Sequence, residues 1–139
     1  MTFSPPAHLA EVTPGAATLG REWVKFDPSS GSATLRFLAK PEFANRHGTV
    51  QGGFLAAMLD SATGITLLAM LPQELTAVTV SLDTRFEKPA SVGVLIVEAR
   101  VVERDDRDAA VEAEVLGTDG TIVARGRAKL RIRKRVLSN

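Results

Sequence analysis

The sequence contains no cysteine and only two histidines, His8 and His47. Without cysteine the chain forms no disulfide and has no thiolate chemistry, and a reducing cytoplasm is its expected location. Two histidines with no carboxylate at metal-ligand spacing predict that the chain has no metal site. A formal net charge of +1 provides no overall electrostatic field for nucleic acid. Disulfide-stapled, metal-dependent and nucleic-acid-binding proteins are therefore disfavoured classes.

The length and composition predict one globular domain. The chain has 139 residues, 45% of them hydrophobic, which is enough for a hydrophobic core. Residues 1–18 carry Pro5, Pro6 and Pro14 among small residues and are expected to form an irregular or briefly helical N-terminal arm. Residues 19–139 form the domain. The first residues lack the basic and apolar regions of a signal peptide, so none is expected.

The stretch from His47 to about Leu71 combines glycines, a long apolar run and one isolated carboxylate. From Phe54 onward apolar residues fall on every face, which is typical of a helix enclosed by protein on most sides. Asp60 is the only charge of this helix. A carboxylate near the centre makes lipid exposure costly, so we expect a helix buried in protein and no membrane insertion.

Gly52 and Gly53 are expected at the N-terminus of this helix, where backbone N–H groups lack intrahelical partners and the macrodipole is positive. Because glycine has no Cβ, an acyl oxygen can approach these amides closely. This is the geometry of an oxyanion hole, in which one donor is typically worth about 2.7–4 kcal/mol of transition-state stabilisation.

Asp60 lies eight residues beyond Gly52, which places it about 12 Å further along the helix axis. It therefore cannot touch an oxygen held at the N-terminus of its own helix. If both residues are catalytic, a second copy must supply one of them, through antiparallel helices that meet across a two-fold axis. The spacing predicts a dimer on that condition.

Two segments around these residues resemble the signature of PaaI-type hot-dog acyl-CoA thioesterases. They are Asn45-Arg-His-Gly-Thr-Val-Gln-Gly-Gly and Met58-Leu-Asp-Ser-Ala-Thr-Gly, and the family pattern is an Asn, then Gly-x-hydrophobic-His-Gly-Gly, then an acidic residue within the helix. The similarity extends over residues 19–132. It implies an α+β hot-dog fold, with one long buried helix wrapped by a curved, mostly antiparallel sheet of five to six strands.

The resemblance also implies an activity, hydrolysis of an acyl-CoA thioester, by a homodimer that assembles further as a dimer of dimers. On the matching positions, Gly52 N–H would polarise the thioester carbonyl and Asn45 would help to hold the reacting groups. Asp60 of the partner subunit would be the base or the nucleophile, and the sequence does not choose between the two. Burial disfavours a charged carboxylate, so Asp60 would be poised for proton transfer.

The candidate substrate-binding residues are Gln51, Gly53, Thr79 and His47. Gln51 stands where the family has His, and an amide donates a hydrogen bond but cannot become a cation. Thr79 matches a position that often carries Ser or Thr near the acidic residue, although it falls on the polar face of its strand, where solvent exposure is an equal alternative. His47 lies outside the matched pattern and is more readily structural than catalytic.

Other interpretations of the same residues remain open. A Gly-Gly pair at a helix start also serves tight packing, and a lone Asp in an apolar helix is satisfied by Ser or Thr neighbours. The replacement of His by Gln51 raises the alternative of a non-catalytic acyl-CoA-binding module that keeps the pocket without the chemistry. A hot-dog hydratase fits less well, because the matched positions lack the Asp and His pair that such enzymes use.

Six strands are expected, over residues 19–26, 32–39, 77–88, 92–103, 109–118 and 122–132. In the third, alternation predicts one half-buried face formed by Val78, Val80, Leu82, Thr84 and Phe86. The resemblance implies that this strand lies at the sheet edge and pairs with its two-fold mate, which would cover an aggregation-prone edge.

The last two strands carry a register signal. Asp119-Gly120 favours a two-residue hairpin turn, which would place Leu116 opposite Val123, Glu114 opposite Arg125 and Glu112 opposite Arg127. These pairs leave Lys129, Arg131 and Arg133, with Lys134 and Arg135, as candidate phosphate contacts for coenzyme A. No Gly-rich phosphate loop or stacking aromatic series is present, and we expect no bound cofactor.

Overall fold

The computed structural model describes residues 4–136. Short 3-10 turns at Ala7–Leu9 and Pro41–Phe43 accompany the helices α1 (Pro14–Thr18) and α2 (Gly52–Met70). The strands are β1 (Glu22–Asp27), β2 (Ser32–Ala39), β3 (Leu75–Phe86), β4 (Gly93–Arg104), β5 (Asp108–Leu116) and β6 (Ile122–Lys134). Each of the six expected strands has a counterpart, and α2 begins at Gly52 as the glycine pair predicted.

The strands form one antiparallel sheet in the order β1-β2-β4-β5-β6-β3. The sheet does not close, so β1 and β3 are its two edges. Helix α2 packs against β2, β3, β4, β5 and β6 and fills the concave side. The predicted α+β architecture, with one long helix wrapped by six strands, is confirmed.

Helix α2 supplies the centre of the core. Its buried residues are Leu55, Met58, Leu59, Ala62, Thr63, Ile65, Thr66, Leu67 and Ala69. Its most apolar window is long enough to span a membrane, yet 50% of that window is buried inside the fold. Gly53 and Asp60 are exposed. The other residues of α2 are buried or half-buried, which agrees with the expectation of a helix enclosed on most sides.

The contact of α2 with β6 depends on a glycine. A Cβ built on Gly126 would lie 3.2 Å from Leu59 Cδ1 and 3.4 Å from Leu59 Cβ. Leu59 is fully buried, and so are Ala124 and Ala128, which lie on the same face of β6 as Gly126. Small inward residues on this strand therefore let the helix lie close to the sheet.

Strand β3 is the edge strand that the resemblance implied, paired with β6. Its predicted alternation holds for Leu82, Thr84 and Phe86, which pair with inward residues of β6, but it is wrong before Ser81, because the register shifts between Thr79 and Ser81. Val80 is the extra residue of this bulge, which reverses the faces on its two sides. Leu82 and Thr84 are half-buried as expected, whereas Val80 is 56% exposed and Phe86 is 55% exposed in the single chain, so the expected face is formed only in part.

The hairpin from β5 to β6 matches the predicted register away from the turn. Glu114 lies opposite Arg125 and Glu112 opposite Arg127, with N···O distances of 2.8 and 2.6 Å. At the turn the prediction is wrong, because Leu116 pairs with Ile122. The Asp119 carboxylate accepts hydrogen bonds from the Thr121 N–H and hydroxyl, and the loop is longer than predicted, with Val123 as the extra residue of a bulge.

Helix α1 lies within the arm that was expected to be briefly helical, and Leu19 and Gly20 form a turn where a strand was expected to begin. Gly20 has φ +65°, its N–H donates to Ala17 O, and the Arg21 N–H donates to Ala16 O. These two bonds form the Schellman motif that ends α1. Leu38 N–H donates to Leu19 O, which fixes this helix end to β2. Strand β1 therefore starts at Glu22, three residues later than predicted.

Candidate active site

The start of α2 presents two free backbone donors. Gln51 is the N-cap residue, and its own N–H donates to Phe43 O at 2.9 Å. The N–H groups of Gly52 and Gly53 donate no hydrogen bond to any group in residues 4–136, and no side chain caps the helix. Two unpartnered N–H groups at the positive end of a helix form an anion-binding geometry.

The two glycines differ in their surroundings. A Cβ on Gly52 would lie 3.1 Å from the Cε1 and Cζ atoms of the Phe86 ring, whereas a Cβ on Gly53 would meet nothing within 4 Å. The Phe43 and Phe54 rings stack in parallel with centroids 4.0 Å apart and anchor the first turn of α2 on the preceding segment. The donor pair thus lies between an exposed aromatic ring and open space.

Asn45 organises the loop that precedes α2. Its Oδ1 accepts hydrogen bonds from the His47 N–H at 2.9 Å and from the Thr49 N–H and hydroxyl, both at 3.2 Å. Its side-chain amide nitrogen makes no hydrogen bond within the described part of the chain, so the NH2 group is available to a ligand. His47 is exposed and takes part through its backbone. The role of His47, structural or substrate-binding, stays a prediction.

Asp60 lies on the open face of α2 and is exposed in the single chain. The expected burial of this carboxylate is wrong for one chain. By helix geometry it lies about 12 Å along the axis from Gly52 and about 80° around it. Within one chain, Asp60 is therefore too far from the N–H groups of Gly52 and Gly53 to act on the same atom, as the sequence predicted.

Thr79 lies on the helix side of β3. It pairs with Leu130, whose side chain is buried against the core, and pairing residues of an antiparallel ladder share a face. The polar-face prediction failed because the bulge at Val80 reverses the alternation. Thr79 is nevertheless exposed, since β3 has no strand beyond it in the single chain.

Gln51 is also exposed, and its side chain makes no hydrogen bond within residues 4–136. The structure thus brings Gln51, Gly52 and Gly53 together at one end of α2, with Asn45 and His47 on the adjoining loop. Asp60 and Thr79 lie apart from this group along the helix and the edge strand. Within the described residues no group of three or more histidine or carboxylate side chains is placed to hold a metal ion.

Two residues near α2 were missed from the sequence. The Phe86 ring lies against Gly52, 34 positions earlier in the chain, and only the fold brings them together. Arg21 Nη1 donates to Ser61 Oγ at 3.0 Å, and Ser61 follows Asp60 directly. The Leu-Gly-Arg sequence signals the end of a helix at Gly20, but no local pattern reveals where the guanidinium lies.

The family model for the thioesterase superfamily matches residues 47–124. A phenylacetic acid degradation-related protein from Ralstonia eutropha JMP134 is 34% identical over 88% of this chain and 92% of that chain, with a TM-score of 0.85. The BH2602 protein from Bacillus halodurans, solved with CoA, is 27% identical, with a TM-score of 0.77, covering 88% of this chain and 78% of that one.

The Escherichia coli PaaI protein from the phenylacetic acid degradation operon shares the fold, with a TM-score of 0.75, 22% identity, and coverage of 89% of this chain and 85% of that chain. No curated protein sequence matches the chain. The matched region runs from His47 through all of α2, β3, β4 and β5 to the first three residues of β6. The chain has the hot-dog fold and belongs to the thioesterase superfamily.

Proposed function

We propose that this protein hydrolyses an acyl-CoA thioester at a site shared between two subunits. The observation that carries the proposal is the pair of free N–H groups of Gly52 and Gly53, on the same helix as an exposed Asp60 that is too far away to reach them. Two N–H donors can stabilise the oxyanion, but hydrolysis also needs a base or a nucleophile. An antiparallel copy of α2 would bring Asp60 of the partner subunit to this donor pair.

The surface around the site supports a second copy as the missing half. The open face of α2 adjoins β3, an edge strand that exposes Val78, Val80 and Phe86. An apolar edge with unpaired backbone groups is a template for another strand, and pairing two β3 strands would cover it. Burial of Asp60 and Thr79 would then be a property of the dimer.

The chemistry follows from the charges that develop during hydrolysis. As water adds to the thioester carbon, the carbonyl oxygen becomes negative, and each N–H that points at it is worth about 2.7–4 kcal/mol. Asp60 of the partner subunit would take a proton from that water and give it to the sulfur as the C–S bond breaks, so that coenzyme A leaves as the thiol and the carboxylate is restored. Direct attack by the carboxylate, followed by hydrolysis of the anhydride, uses the same positions.

Coenzyme A is the proposed thiol carrier. A solved relative of the same fold, the Bacillus halodurans protein, was obtained with CoA. The basic residues at the end of β6, Lys129, Arg133 and Lys134, lie on the strand next to the β3 edge and form no ion pair with carboxylates of residues 4–136. They are the proposed contacts for the nucleotide phosphates. Arg131 is less suited, because its Nε already donates to Asp108 at 2.7 Å.

The test is release of free thiol from a panel of aliphatic and aromatic acyl-CoAs, including phenylacetyl-CoA. Asp60→Asn should abolish turnover while the dimer persists by light scattering. Asp106→Asn is the matched control, because it removes one exposed loop carboxylate that makes no hydrogen bond in the described chain. Equal activity of Asp60→Asn and the control would refute the role of Asp60.

Subunit mixing tests whether the site is shared. Asp60→Asn lacks the carboxylate, and Gly52→Val blocks the donor end, because a Cβ there already lies 3.1 Å from Phe86. Each homodimer should be inactive. Random exchange gives half heterodimers, each with one intact site of two, so about a quarter of wild-type activity should return. A site within one chain would restore none.

A second candidate, an acyl-CoA-binding protein without catalysis, is favoured by one observation. Gln51 lies exposed at the N-cap with a side chain that cannot become a cation. Calorimetric binding of acyl-CoA together with no thiol release across the panel would establish this candidate. Gln51→His would then be expected to introduce turnover if the missing imidazole were the cause.

A further inference from the structure

Arg21 is a half-buried cation with no carboxylate beside it. Its Nη1 donates to Ser61 Oγ at 3.0 Å, and this is the one hydrogen bond its guanidinium makes within residues 4–136. No Asp or Glu of the described chain lies within 4 Å of it. Burial lowers the pKa of Arg21, with no opposing contribution from a nearby anion. The remaining N–H groups of the guanidinium are therefore free to bind an acceptor.

Other arginines of the sheet have either a carboxylate partner or full contact with water. Arg85 and Arg133 are exposed and form no ion pair within residues 4–136. Five on the outer face of the sheet are paired with carboxylates: Arg36, Arg100, Arg125, Arg127 and Arg131. Arg21 has lost hydration without gaining an ion pair, which is unfavourable for the isolated chain. An anion that arrives with a ligand would remove this cost.

The backbone holds Arg21 firmly. It occupies the second position after the end of α1, and its N–H donates to Ala16 O at 3.0 Å as part of the Schellman motif around Gly20. A Cβ on Gly20 would lie 3.0 Å from Leu38 Cβ, so the motif also packs closely on β2. The position of Arg21 is thus set by the helix end and the sheet together.

Arg21 borders the open face of α2 opposite Asp60. At about 100° per residue, Asp60 lies on one side of this face and Ser61 on the other, with Gly53, Ala57 and Gly64 between them. Because glycine and alanine have small side chains, the helix surface between Asp60 and Ser61 is a shallow groove. A ligand held along this groove would meet a carboxylate on one side and the Arg21 guanidinium on the other.

From this arrangement we infer that Arg21 binds an acidic group on the acyl part of the substrate, so that the preferred substrates are CoA thioesters of dicarboxylic acids. This inference rests on the proposed function, in which Asp60 acts at the thioester carbon. The Arg21 guanidinium is hydrogen-bonded to Ser61, the residue that follows Asp60. In the proposed site it would therefore lie near the reacting carbon. The phosphates of CoA are separated from that carbon by the whole pantetheine arm, so an acyl carboxylate is the better partner.

The test compares thioesters matched in chain length: glutaryl-CoA with valeryl-CoA, and adipyl-CoA with hexanoyl-CoA. Wild type should prefer the acidic member of each pair. Arg21→Gln should lower kcat/KM for the acidic members by about tenfold to a hundredfold and for the neutral members by less than about twofold, as expected for a charge-assisted hydrogen bond. Arg21→Lys should keep part of the preference.

Two further variants separate recognition from folding. Arg107→Gln is the matched control, a cation on the exposed β4–β5 loop. Ser61→Ala removes the partner of Arg21 and keeps the charge, so the preference for acidic substrates should fall less than in Arg21→Gln. Equal loss on acidic and neutral substrates, together with a lower Tm, would make Arg21 a structural tether and overturn the inference.

The remaining outcomes are distinct. If Arg21→Gln raises KM for every acyl-CoA alike and weakens inhibition by free CoA, Arg21 contacts the carrier and the inference is wrong. If wild type hydrolyses the neutral members and Arg21→Gln changes nothing, the inference fails and the thioesterase proposal stands. If wild type hydrolyses no member of the panel, the proposed function itself fails.

Discussion

The contact between Leu59 and Gly126 offers a sharp test of how α2 lies on the sheet. Gly126→Ala would place its Cβ 3.2 Å from Leu59 Cδ1 and 3.4 Å from Leu59 Cβ. A rotamer change can move the first atom but not the second, because Cβ is fixed by the helix backbone. The contact with Cδ1 is too close by a few tenths of an ångström, and Leu59 is fully buried, so its side chain has little room to move away from the methyl group.

The magnitudes follow from the packing. Leu59→Ala removes a fully buried side chain and should cost about 3 kcal/mol of unfolding free energy, within the usual range of about 2–5. For a domain of this size that is a fall in Tm of about 10 °C. Gly126→Ala should cost about 1–3 kcal/mol through overpacking, offset by about 0.4–1 kcal/mol from the smaller entropy of the unfolded chain.

The double variant should reverse the sign of the second substitution. With Leu59 reduced to Ala the clash is gone, so Gly126→Ala should stabilise that background by about 0.4–1 kcal/mol or more. Urea unfolding followed by circular dichroism, at one fixed protein concentration, gives the unfolding free energy of the wild type, the two single variants and the double variant. Additive effects in both backgrounds would show that Leu59 and Gly126 are not in contact.

Three further predictions concern the helix and the hairpin. Thr66 Oγ1 is buried with no hydrogen-bond partner in the described chain, so Thr66→Val should raise the unfolding free energy by about 1 kcal/mol. Thr63→Val is the control: it loses a 2.8 Å hydrogen bond to a backbone carbonyl and should not raise the unfolding free energy. Gly64→Ala adds helix propensity but should weaken dimerisation in sedimentation equilibrium, because Gly64 lies on the open face with Asp60; an unchanged dimer would place the partner elsewhere. The hydrogen bonds from Thr121, aided by Lys88, lower the pKa of Asp119 from 3.8 to about 2, so its stabilisation is complete above pH 3.8 and is lost as pH falls through about 2; NMR titration should give that midpoint, and Thr121→Ala should move it upward.

Local chemistry predicted much of the fold. The predicted bounds of β2, β4 and β5 lie within two residues of the strands in the structure, because one face of each meets the core and the other meets water. The cross-strand pairs Glu114–Arg125 and Glu112–Arg127 were predictable, since a turn near Asp119-Gly120 leaves few registers open. The start of α2 at Gly52 followed from the glycine pair and the apolar run behind it.

The errors occurred where one residue changes the register or where distant parts meet. A bulge at Val80 moved Thr79 to the helix side of β3, and strand propensity gives no sign of a bulge. The Asp119 side chain lengthened a turn that the Asp-Gly pair alone predicted to be short. Asp60 was expected to be buried because its neighbours are apolar, but the sheet wraps the other side of α2.

The sequence by itself determined the order of elements, the start of the central helix and the residues of the candidate site, because these depend on local periodicity, on helix-end chemistry and on a motif of fixed spacing. Only the tertiary structure decided that Phe86 lies against Gly52, that Arg21 lies beside Ser61 without a carboxylate, and that one face of α2 stays open. Those contacts join residues at least 34 positions apart, and their geometry is set by how the sheet curves around one helix. No local preference encodes that curvature.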